Sequence, residues 1–314
     1  MGAGSSVWLS LIRFGNRRTK NSRALRRAGV RAYSSVVRAN RFLPPPKVLL
    51  NGPPKSGTHL LSDCLSLMPS MMFSGRHFAL SDYFVASEMP SDARSHRTQA
   101  YPELDESRLA NFLGRCPKGM FVTAHARFHP VLKALIDQLQ FRHVLLLRDP
   151  RDVVVSHAFY VKREPMHFHH KYFTEVLRSD EERIMAVIRG FAANTSGGAP
   201  LLPIGESFAG FIRWLEDPST LAVRFEDLIG LQGGGDSERQ LAAIENIGRF
   251  VSRPVDRDQA EHIAQRMYGQ GSLTFRKGQM GDWRNHFTDA HKQVFKEVAG
   301  DTLIELGYER SMDW

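Results

Sequence analysis

The sequence of 314 residues predicts one α/β domain, in which a central, mainly parallel sheet is flanked by helices. Two continuous apolar runs, at residues 48–50 and 144–147, are typical of strands that are buried on both faces. Each run is followed by a loop and then by a helix signal, and this alternation continues along the chain. The length suits a single large domain with an ample core.

The first strand runs into a loop that contains Gly52 and Gly57, and then into an apolar helix at residues 60–67. The glycine spacing is that of a phosphate loop, where backbone N–H groups and the helix dipole favour an anion. Gly57 is followed by Thr58-His59, where an ATPase has Lys and then Ser or Thr, and the lysine lies inside the loop as Lys55. The hydroxyl that would hold Mg²⁺ is missing, so the pattern predicts a nucleotide handled without a metal.

The second strand ends at Arg148, and Pro150 fits the first position of the following helix. Ser156 then lies nearly two turns into that helix. In open α/β sheets, ligands bind at the carboxyl ends of the strands, where Arg148 is expected. Asp149 could end a strand that binds a metal, but Asp-Pro-Arg-Asp is also an ordinary helix start, and we interpret Asp149 as a capping residue.

The same alternation predicts further elements. Strands are expected at residues 120–123 and 221–225, and helices at residues 131–139, 237–251 and 258–267.

His125 follows the strand at residues 120–123, at the end of the sheet where ligands bind. A neutral imidazole with an ordinary pKa of about 6.5 can accept a hydroxyl proton near pH 7. A lone histidine is more often structural, and both interpretations stay open at this stage. His129 is the second candidate, ranked lower because it precedes the helix start at Pro130. The histidines within residues 166–170 have no Cys or acidic partner at ligand spacing, so we predict an acceptor-facing loop there and no metal site.

Three segments resemble parts of the sulfotransferases that use 3′-phosphoadenosine-5′-phosphosulfate (PAPS) as sulfonyl donor. Residues 54–60, Pro-Lys-Ser-Gly-Thr-His-Leu, resemble the family's 5′-phosphosulfate loop, which usually ends in Thr-Thr-Trp, so that His59 and Leu60 depart from it. Residues 143–160 resemble the family's 3′-phosphate signature. Residues 275–288 contain Arg-Lys-Gly-x-x-Gly-Asp-Trp, which is similar to the stretch that closes over the cofactor.

The resemblance implies a P-loop NTPase-like fold, PAPS as the donor and no required metal. The residues that it implies for cofactor binding are Lys55, Ser56, Gly57, Thr58, His59, Leu60, Arg148, Ser156, Phe225, Arg276, Lys277 and Gly278. It also implies catalytic roles for His125 as the base, for Lys55 at the departing phosphate, and for Ser156. For Phe225, stacking near the adenine and packing in the core are equally open. Many members carry a lysine two residues before the histidine, where this chain has Thr123.

The predicted reaction is transfer of a sulfonyl group to an acceptor hydroxyl. The alternatives are a P-loop kinase or NTPase, and a catalytically silent nucleotide-binding protein. Residues 74–118 and 161–205 are expected to wall the acceptor site. They carry basic residues among aromatic ones, which favours a polar or anionic acceptor such as a carbohydrate: His77, Arg94, His96, Arg97, Lys162 and Arg163.

The formal net charge of +9 comes from the amino-terminal tail. Residues 1–47 contain 11 Lys and Arg and no Asp or Glu, whereas residues 48–314 hold 31 basic and 33 acidic side chains. The predicted domain, residues 47–314, therefore has no overall attraction for polyanions, which argues against a nucleic-acid-binding protein.

Residues 1–46 form a basic tail that ends in three prolines, and three roles for it stay open. These are an N-myristoylation signal, an organelle transit peptide, or a basic helix that lies on an acidic lipid surface or packs on the core. No secretory signal is evident, so we expect an intracellular protein, cytoplasmic or directed to an organelle by the tail. Cys64 and Cys116 are expected to be free thiols. The sequence makes no prediction of the oligomeric state.

Overall fold

A computed structural model of the chain describes residues 46–85, 101–196, 200–268 and 277–314. Predictions about the basic tail, about Arg94, His96 and Arg97, and about Arg276 fall outside these ranges. The described part contains one five-stranded sheet with the order β2-β3-β1-β4-β5. All neighbouring strands are parallel. The strands are β1 (Lys47–Asn51), β2 (Met72–Ala79), β3 (Met120–His125), β4 (Phe141–Leu147) and β5 (Thr220–Arg224).

The helices surround this sheet on both faces, as parallel strands require. They are α1 (Thr58–Leu67), α2 (Glu106–Gly114), α3 (Pro130–Gln138), α4 (Pro150–Arg163), α5 (Asp180–Arg189), α6 (Ala193–Ser196), α7 (Ile204–Ile212), α8 (Phe225–Leu228), α9 (Ser237–Phe250), α10 (Arg257–Met267) and α11 (Asp289–Glu305). No helix within the described ranges is long and apolar enough to cross a bilayer.

Two hydrophobic cores lie on opposite faces of the sheet. Successive side chains of a strand point to opposite faces. In β1, Leu49 accordingly packs into one core, and Val48 and Leu50 pack into the other. Burial on both faces explains why the central strands are continuous apolar runs. Cys64 and Cys116 are buried free thiols, as predicted.

The strands and helices expected from the sequence are confirmed, with ends that differ by a few residues. Asp149 caps α4, as interpreted, because its Oδ1 accepts a hydrogen bond of 2.9 Å from the Arg151 amide. Strand β2 was not predicted. Its sequence mixes small, charged and aromatic residues, and its register against β3 shifts between Phe73 and His77. An edge strand with such an irregularity has no regular alternation of apolar residues.

Candidate active site

Three neighbouring strands end at one edge of the sheet, and each contributes a polar residue there. Asn51 is the last residue of β1, His125 is the last residue of β3, and Arg148 follows β4 directly. Because β1 lies between β3 and β4, the phosphate loop after Asn51 separates His125 from Arg148. The sheet therefore places the predicted base on one side of the loop and the predicted phosphate-binding arginine on the other.

Asn51 fixes the loop to the end of β3. Its Oδ1 accepts hydrogen bonds of 2.9 Å from the backbone amides of Gly52 and Ala126, and its Nδ2 donates to the Ala126 carbonyl at 2.7 Å. The side chain is fully buried, where every amide group needs a partner. Sequence reasoning missed Asn51, although a polar residue that ends an apolar strand was a signal for such a role.

The phosphate loop opens onto the start of α1. Gly57 has a φ of 100°, and a Cβ there would lie 2.5 Å from the ring of Phe225, so only glycine fits. Helix α1 begins at Thr58 and has no side-chain cap on its first turn. An uncapped helix start presents backbone N–H groups and a positive dipole end, and both favour a phosphate.

Two residues of this loop, Ser56 and Leu60, support the loop itself, and their predicted contacts with the cofactor stay a prediction. Ser56 is buried, and its hydroxyl donates to the Pro53 carbonyl at 2.7 Å. Leu60 packs in the core, and its amide donates to the Gly57 carbonyl at 2.9 Å. These bonds close the loop upon itself, because a tight turn must satisfy its own polar groups.

Lys55 lies at the tip of the loop, in the left-handed region with a φ of 68°. Its Nζ lies 3.6 Å from the centre of the Tyr160 ring on α4, a cation–π contact. His59, in the first turn of α1, is exposed. The loop therefore presents a cation and an imidazole on the side that faces the cleft.

His125 is held in one tautomer by the phosphate loop. Its Nδ1 lies 2.7 Å from the carbonyl oxygen of Gly52. A carbonyl oxygen only accepts, so Nδ1 carries the hydrogen and the neutral ring keeps its lone pair on Nε2. Burial lowers the pKa of His125 to about 4. The bond to Gly52 opposes this shift, whereas His77, His59 and Lys55 add to it. The ordinary pKa expected from sequence is wrong for this residue, because the ring is desolvated among cationic neighbours.

His129, the second candidate base, has a structural position. It is buried at the start of α3, where its Nδ1 accepts the Val131 amide at 3.2 Å. Its Nε2 donates to the Pro102 carbonyl at 3.0 Å. Both ring nitrogens are therefore occupied, which leaves no lone pair for a substrate.

Arg148 has a buried donor without a partner in the part of the chain that the structure describes. Its side chain is 7% exposed, one terminal amino group donates to the Gln279 carbonyl at 2.8 Å, and its Nε has no hydrogen-bond partner among the described residues. Buried donors are nearly always paired, so an unpaired guanidinium N–H indicates an anion site. Ser156 follows on the same side of α4, at helical spacing from Arg148 and Asp152.

Phe225 lies beneath these groups. Its ring is 3% exposed, it faces Gly57, and the Arg148 guanidinium lies 4.2 Å from the ring centre. This position fits the core-packing alternative, since the ring supports the loop and the arginine. Stacking against an adenine would need a ring face open to the cleft.

Asp152 attaches residues 278–283 to α4. Its carboxylate accepts hydrogen bonds from the amides of Gly281 at 2.7 Å and Trp283 at 2.9 Å, and it lies 3.7 Å from Arg148. Burial raises the pKa of Asp152, and the arginine and the two amide bonds oppose that rise. Sequence reasoning missed this residue, because its partners lie about 130 positions away in the chain.

The predicted cofactor residues at the start of this segment are partly described. Lys277 forms an ion pair of 3.1 Å with Asp282, and Gly278 has a φ of 58°. Both lie beside the Arg148 region, since Gln279 accepts the arginine's hydrogen bond. The predicted role of Arg276 stays a prediction.

A group of histidines on and after α4 lies across from the phosphate loop. The rings of His157 and His167 lie 6.1 Å apart, and His167 lies 5.8 Å from Tyr160, the residue that contacts Lys55. Burial lowers the pKa of His157 to about 3 and that of His167 to about 4, and Lys55 contributes to both shifts. The loop at residues 166–170 therefore faces the phosphate loop. Among the described residues, no group of three His, Cys, Asp or Glu side chains is arranged to hold a metal.

Together, the parallel sheet, the lysine-bearing loop and the buried arginine define a nucleotide-binding α/β protein of the P-loop-like class. A family model described as "Sulfotransferase domain" matches residues 45–307. The chain belongs to the sulfotransferase domain family.

Individual relatives are distant. Sulfotransferase 6B1 of Danio rerio is 24% identical over an alignment of 175 residues, which covers 49% of this chain and 49% of that protein. The chain thus matches about half the length of this curated relative. Mouse sulfotransferase SULT7A1, solved with PAP, has a TM-score of 0.55 and 17% identity, covering 84% of this chain and 89% of its own. Retinol dehydratase, solved with androsterone and inactive cofactor PAP, has a TM-score of 0.53 and 20% identity, covering 87% and 85%. At these identities the two structures show the fold.

Proposed function

We propose that the protein transfers a sulfonyl group from PAPS to an acceptor hydroxyl. The observation that carries this proposal is the hydrogen bond between His125 and Gly52. This bond leaves the lone pair of the neutral ring on Nε2, and it attaches the base to the loop that offers a phosphate site. Family membership and the PAP found in structures of similar fold support the proposal. PAP is the nucleotide that remains when PAPS has lost its sulfonyl group.

The donor site is formed by two groups of residues. The amides at the start of α1 and the Lys55 ammonium would hold the 5′-phosphosulfate, and Arg148 with Ser156 would hold the 3′-phosphate. The unpaired Nε of Arg148 fits this assignment, since a phosphate oxygen supplies the acceptor that the donor lacks. When bound, PAPS supplies an activated sulfonyl group, and no residue of the chain has to form a covalent bond to it.

His125 and Lys55 divide the chemical work. Nε2 of His125 takes the proton of the acceptor hydroxyl, and its low pKa keeps the imidazole neutral at physiological pH. Lys55 stabilises the negative charge that collects on the departing phosphate oxygen. Such preorganised charge is worth most in the transition state, where removal of one donor typically costs about 10² to 10³ in rate.

A polar acceptor, such as a carbohydrate, fits the walls of the cleft. His77, His157 and His167 offer hydrogen-bonding groups around the loop, and the tip residues Met166 and Phe168 are exposed. Retinol dehydratase was solved with androsterone or with retinol. Both ligands are less polar than the acceptor that the histidines of this chain favour. We therefore propose a hydroxyl acceptor with further polar groups.

Two experiments distinguish a PAPS-dependent sulfotransferase from a kinase or NTPase and from a catalytically silent binding protein. Calorimetry without added metal is expected to show PAP binding far tighter than AMP, because only PAP has a 3′-phosphate for Arg148. Incubation with ³⁵S-labelled PAPS and a panel of carbohydrate, phenol and steroid acceptors is then expected to give a labelled product. Equal affinity for PAP and AMP, together with Mg²⁺-dependent ATP turnover, would instead identify a kinase or NTPase. Tight PAP binding without transfer to any acceptor would leave a silent binding protein.

A further inference from the structure

We propose that His77 relays to solvent the proton that His125 takes from the acceptor. This inference rests on the proposed function. It adds a residue of β2, the strand that sequence analysis did not predict. His77 acts through His125: it is a positioning residue that accepts the proton from the base.

The contact between the two imidazoles carries the inference. β2 pairs with β3 in parallel, and His77 lies opposite Thr123, two residues before His125. The rings of His77 and His125 meet edge to face, with centroids 4.8 Å apart and planes at 73°. No hydrogen bond joins the two rings directly, so the proton passes from one imidazole to the other through one bridging water molecule.

Thr123 fixes the orientation of His77. Its Oγ1 lies 3.0 Å from His77 Nδ1. The Thr123 hydroxyl donates to the Arg76 carbonyl over a long 3.5 Å, and it can turn from that carbonyl toward Nδ1 when Nδ1 has lost its hydrogen. The anchor therefore tolerates the change in protonation that a relay requires.

The surroundings of His77 tolerate a positive charge better than those of His125, as transfer of a proton from His125 to His77 requires. His125 is half-buried, and Lys55 and His59 both disfavour an added positive charge there. His77 is exposed at the cleft. Partial desolvation lowers the pKa of His77, but the Asp82 carboxylate, from the turn after β2, raises it. A proton on His125 thus lies beside cations, whereas a proton on His77 has a nearby carboxylate and access to water.

The step balances without a further reactant. The acceptor oxygen forms its bond to sulfur as the bond from sulfur to the phosphate oxygen breaks, and that electron pair stays on the phosphate. The hydroxyl proton moves to Nε2 of His125, then to His77, and finally to water. Each transfer releases one proton and restores a neutral His125 for the next cycle.

The experiment compares His77→Gln with wild type in the full chain, using an acceptor found in the labelled-PAPS screen. His262→Gln is the matched control, because His262 is an exposed histidine on α10 that contacts only Arg266 among the described hydrogen bonds. We expect His77→Gln to lower kcat by roughly 10- to 100-fold, at or below the lower limit of the roughly 10²- to 10⁴-fold that a general acid or base contributes. PAP affinity is expected to change less than threefold, and any rise in the acceptor KM is expected to be smaller than the fall in kcat.

Chemical rescue gives the readout that a structural role would not move. Added imidazole is expected to raise kcat of His77→Gln in proportion to its concentration, and to leave wild type and His262→Gln unchanged. Unchanged kcat in His77→Gln overturns the relay, as does a loss without rescue or an effect confined to acceptor KM. If His77→Gln loses PAP binding through misfolding, Thr123→Val takes its place and must show the same rescue by imidazole. Failure of wild type to transfer to any acceptor would instead refute the proposed function, and the relay with it.

Discussion

Nδ1 of His125 donates to the carbonyl oxygen of Gly52 over 2.7 Å, so the base is attached to the first glycine of the phosphate loop. The attachment selects the tautomer that leaves Nε2 open to a substrate. It also makes the orientation of the base depend on the conformation of the loop. Asn51, which accepts the Gly52 amide, holds the other side of the same residue. The backbone at Gly52 therefore positions both the loop that is proposed to bind the donor and the base that is proposed to take the proton.

Replacement of His125 by alanine should abolish sulfonyl transfer while the fold persists. The ring lies at a strand end that faces the cleft, so truncation leaves the two cores packed. We expect kcat to fall by at least about 10²-fold, as for loss of a general base. Calorimetric PAP affinity and the melting temperature should stay close to wild type. A variant that unfolds would support a structural role, and one that folds and still transfers would move the base elsewhere.

The titration of His125 should have a midpoint well below that of an ordinary histidine. Desolvation favours the neutral ring, so protonation is delayed until the pH falls to about 4, against about 6.5 for an unperturbed imidazole. The base should accordingly remain mostly neutral at pH 5. NMR of the imidazole C–H resonances in the nucleotide-free protein would measure the midpoint, and the spectrum of His125→Ala would assign the signal. A midpoint near 6.5 would contradict the burial argument.

Lys55→Ala should lower turnover more than nucleotide affinity. Its charge is needed most as the phosphate oxygen departs, so we expect kcat to fall about 10²- to 10³-fold. Steady-state kinetics at saturating PAPS, with PAP affinity from calorimetry, would separate the two effects. Lys118→Ala, which removes an exposed lysine just before β3, is the control. Near-normal turnover with weaker PAP binding would make Lys55 a ground-state anchor.

Arg148→Lys should weaken PAP binding by about tenfold or more and leave AMP binding almost unchanged. A lysine keeps the charge but cannot reproduce the planar fork that presents Nε and a terminal amino group together. Calorimetry with both nucleotides would measure the difference. Arg239→Lys, at an arginine that is 75% exposed on α9, should have no effect on either nucleotide. A parallel loss of PAP and AMP affinity would place the 3′-phosphate elsewhere.

Asp152→Asn should weaken the attachment of residues 278–283 to α4 and leave the acceptor site unchanged. An amide group can accept only one of the two backbone bonds well, and it loses the attraction to Arg148. We expect PAP affinity to fall about three- to tenfold, with kcat at saturating PAPS near normal. Hydrogen exchange at the amides of Gly281 and Trp283 should accelerate. Asp258→Asn, an exposed aspartate on α10, serves as the control. Unchanged exchange at both amides would refute the attachment.

The elements that sequence patterns predicted are those that local chemistry determines. The runs at residues 48–50 and 144–147 are apolar because both faces of the sheet are covered, and the loop is visible because Gly57 must adopt a positive φ. His125 was identified because a strand end points into the cleft. Its pKa was not predicted, because it is set by burial and by the charges of residues distant in sequence, such as His77 on another strand.

The residues that sequence analysis missed act through contacts over long chain distances. Asn51 bonds to Ala126, and Asp152 bonds to Gly281 and Trp283. Their partners follow from strand order and helix placement, which no local pattern contains. Phe225 shows the same limit, since only packing distinguishes a ring under Arg148 from one that is open to an adenine.

The position of β1 in the middle of the sheet has a consequence for how such a protein can diversify. Arg148 and Ser156, proposed for the 3′-phosphate, lie on the β4 side of the loop, and His125 and His77 lie on the β3 and β2 side. Substitutions in β2 and the chain after it can therefore change acceptor preference while the nucleotide contacts stay intact. A library randomised only between β2 and β3 would sample new specificities from clones that all still accept the same donor.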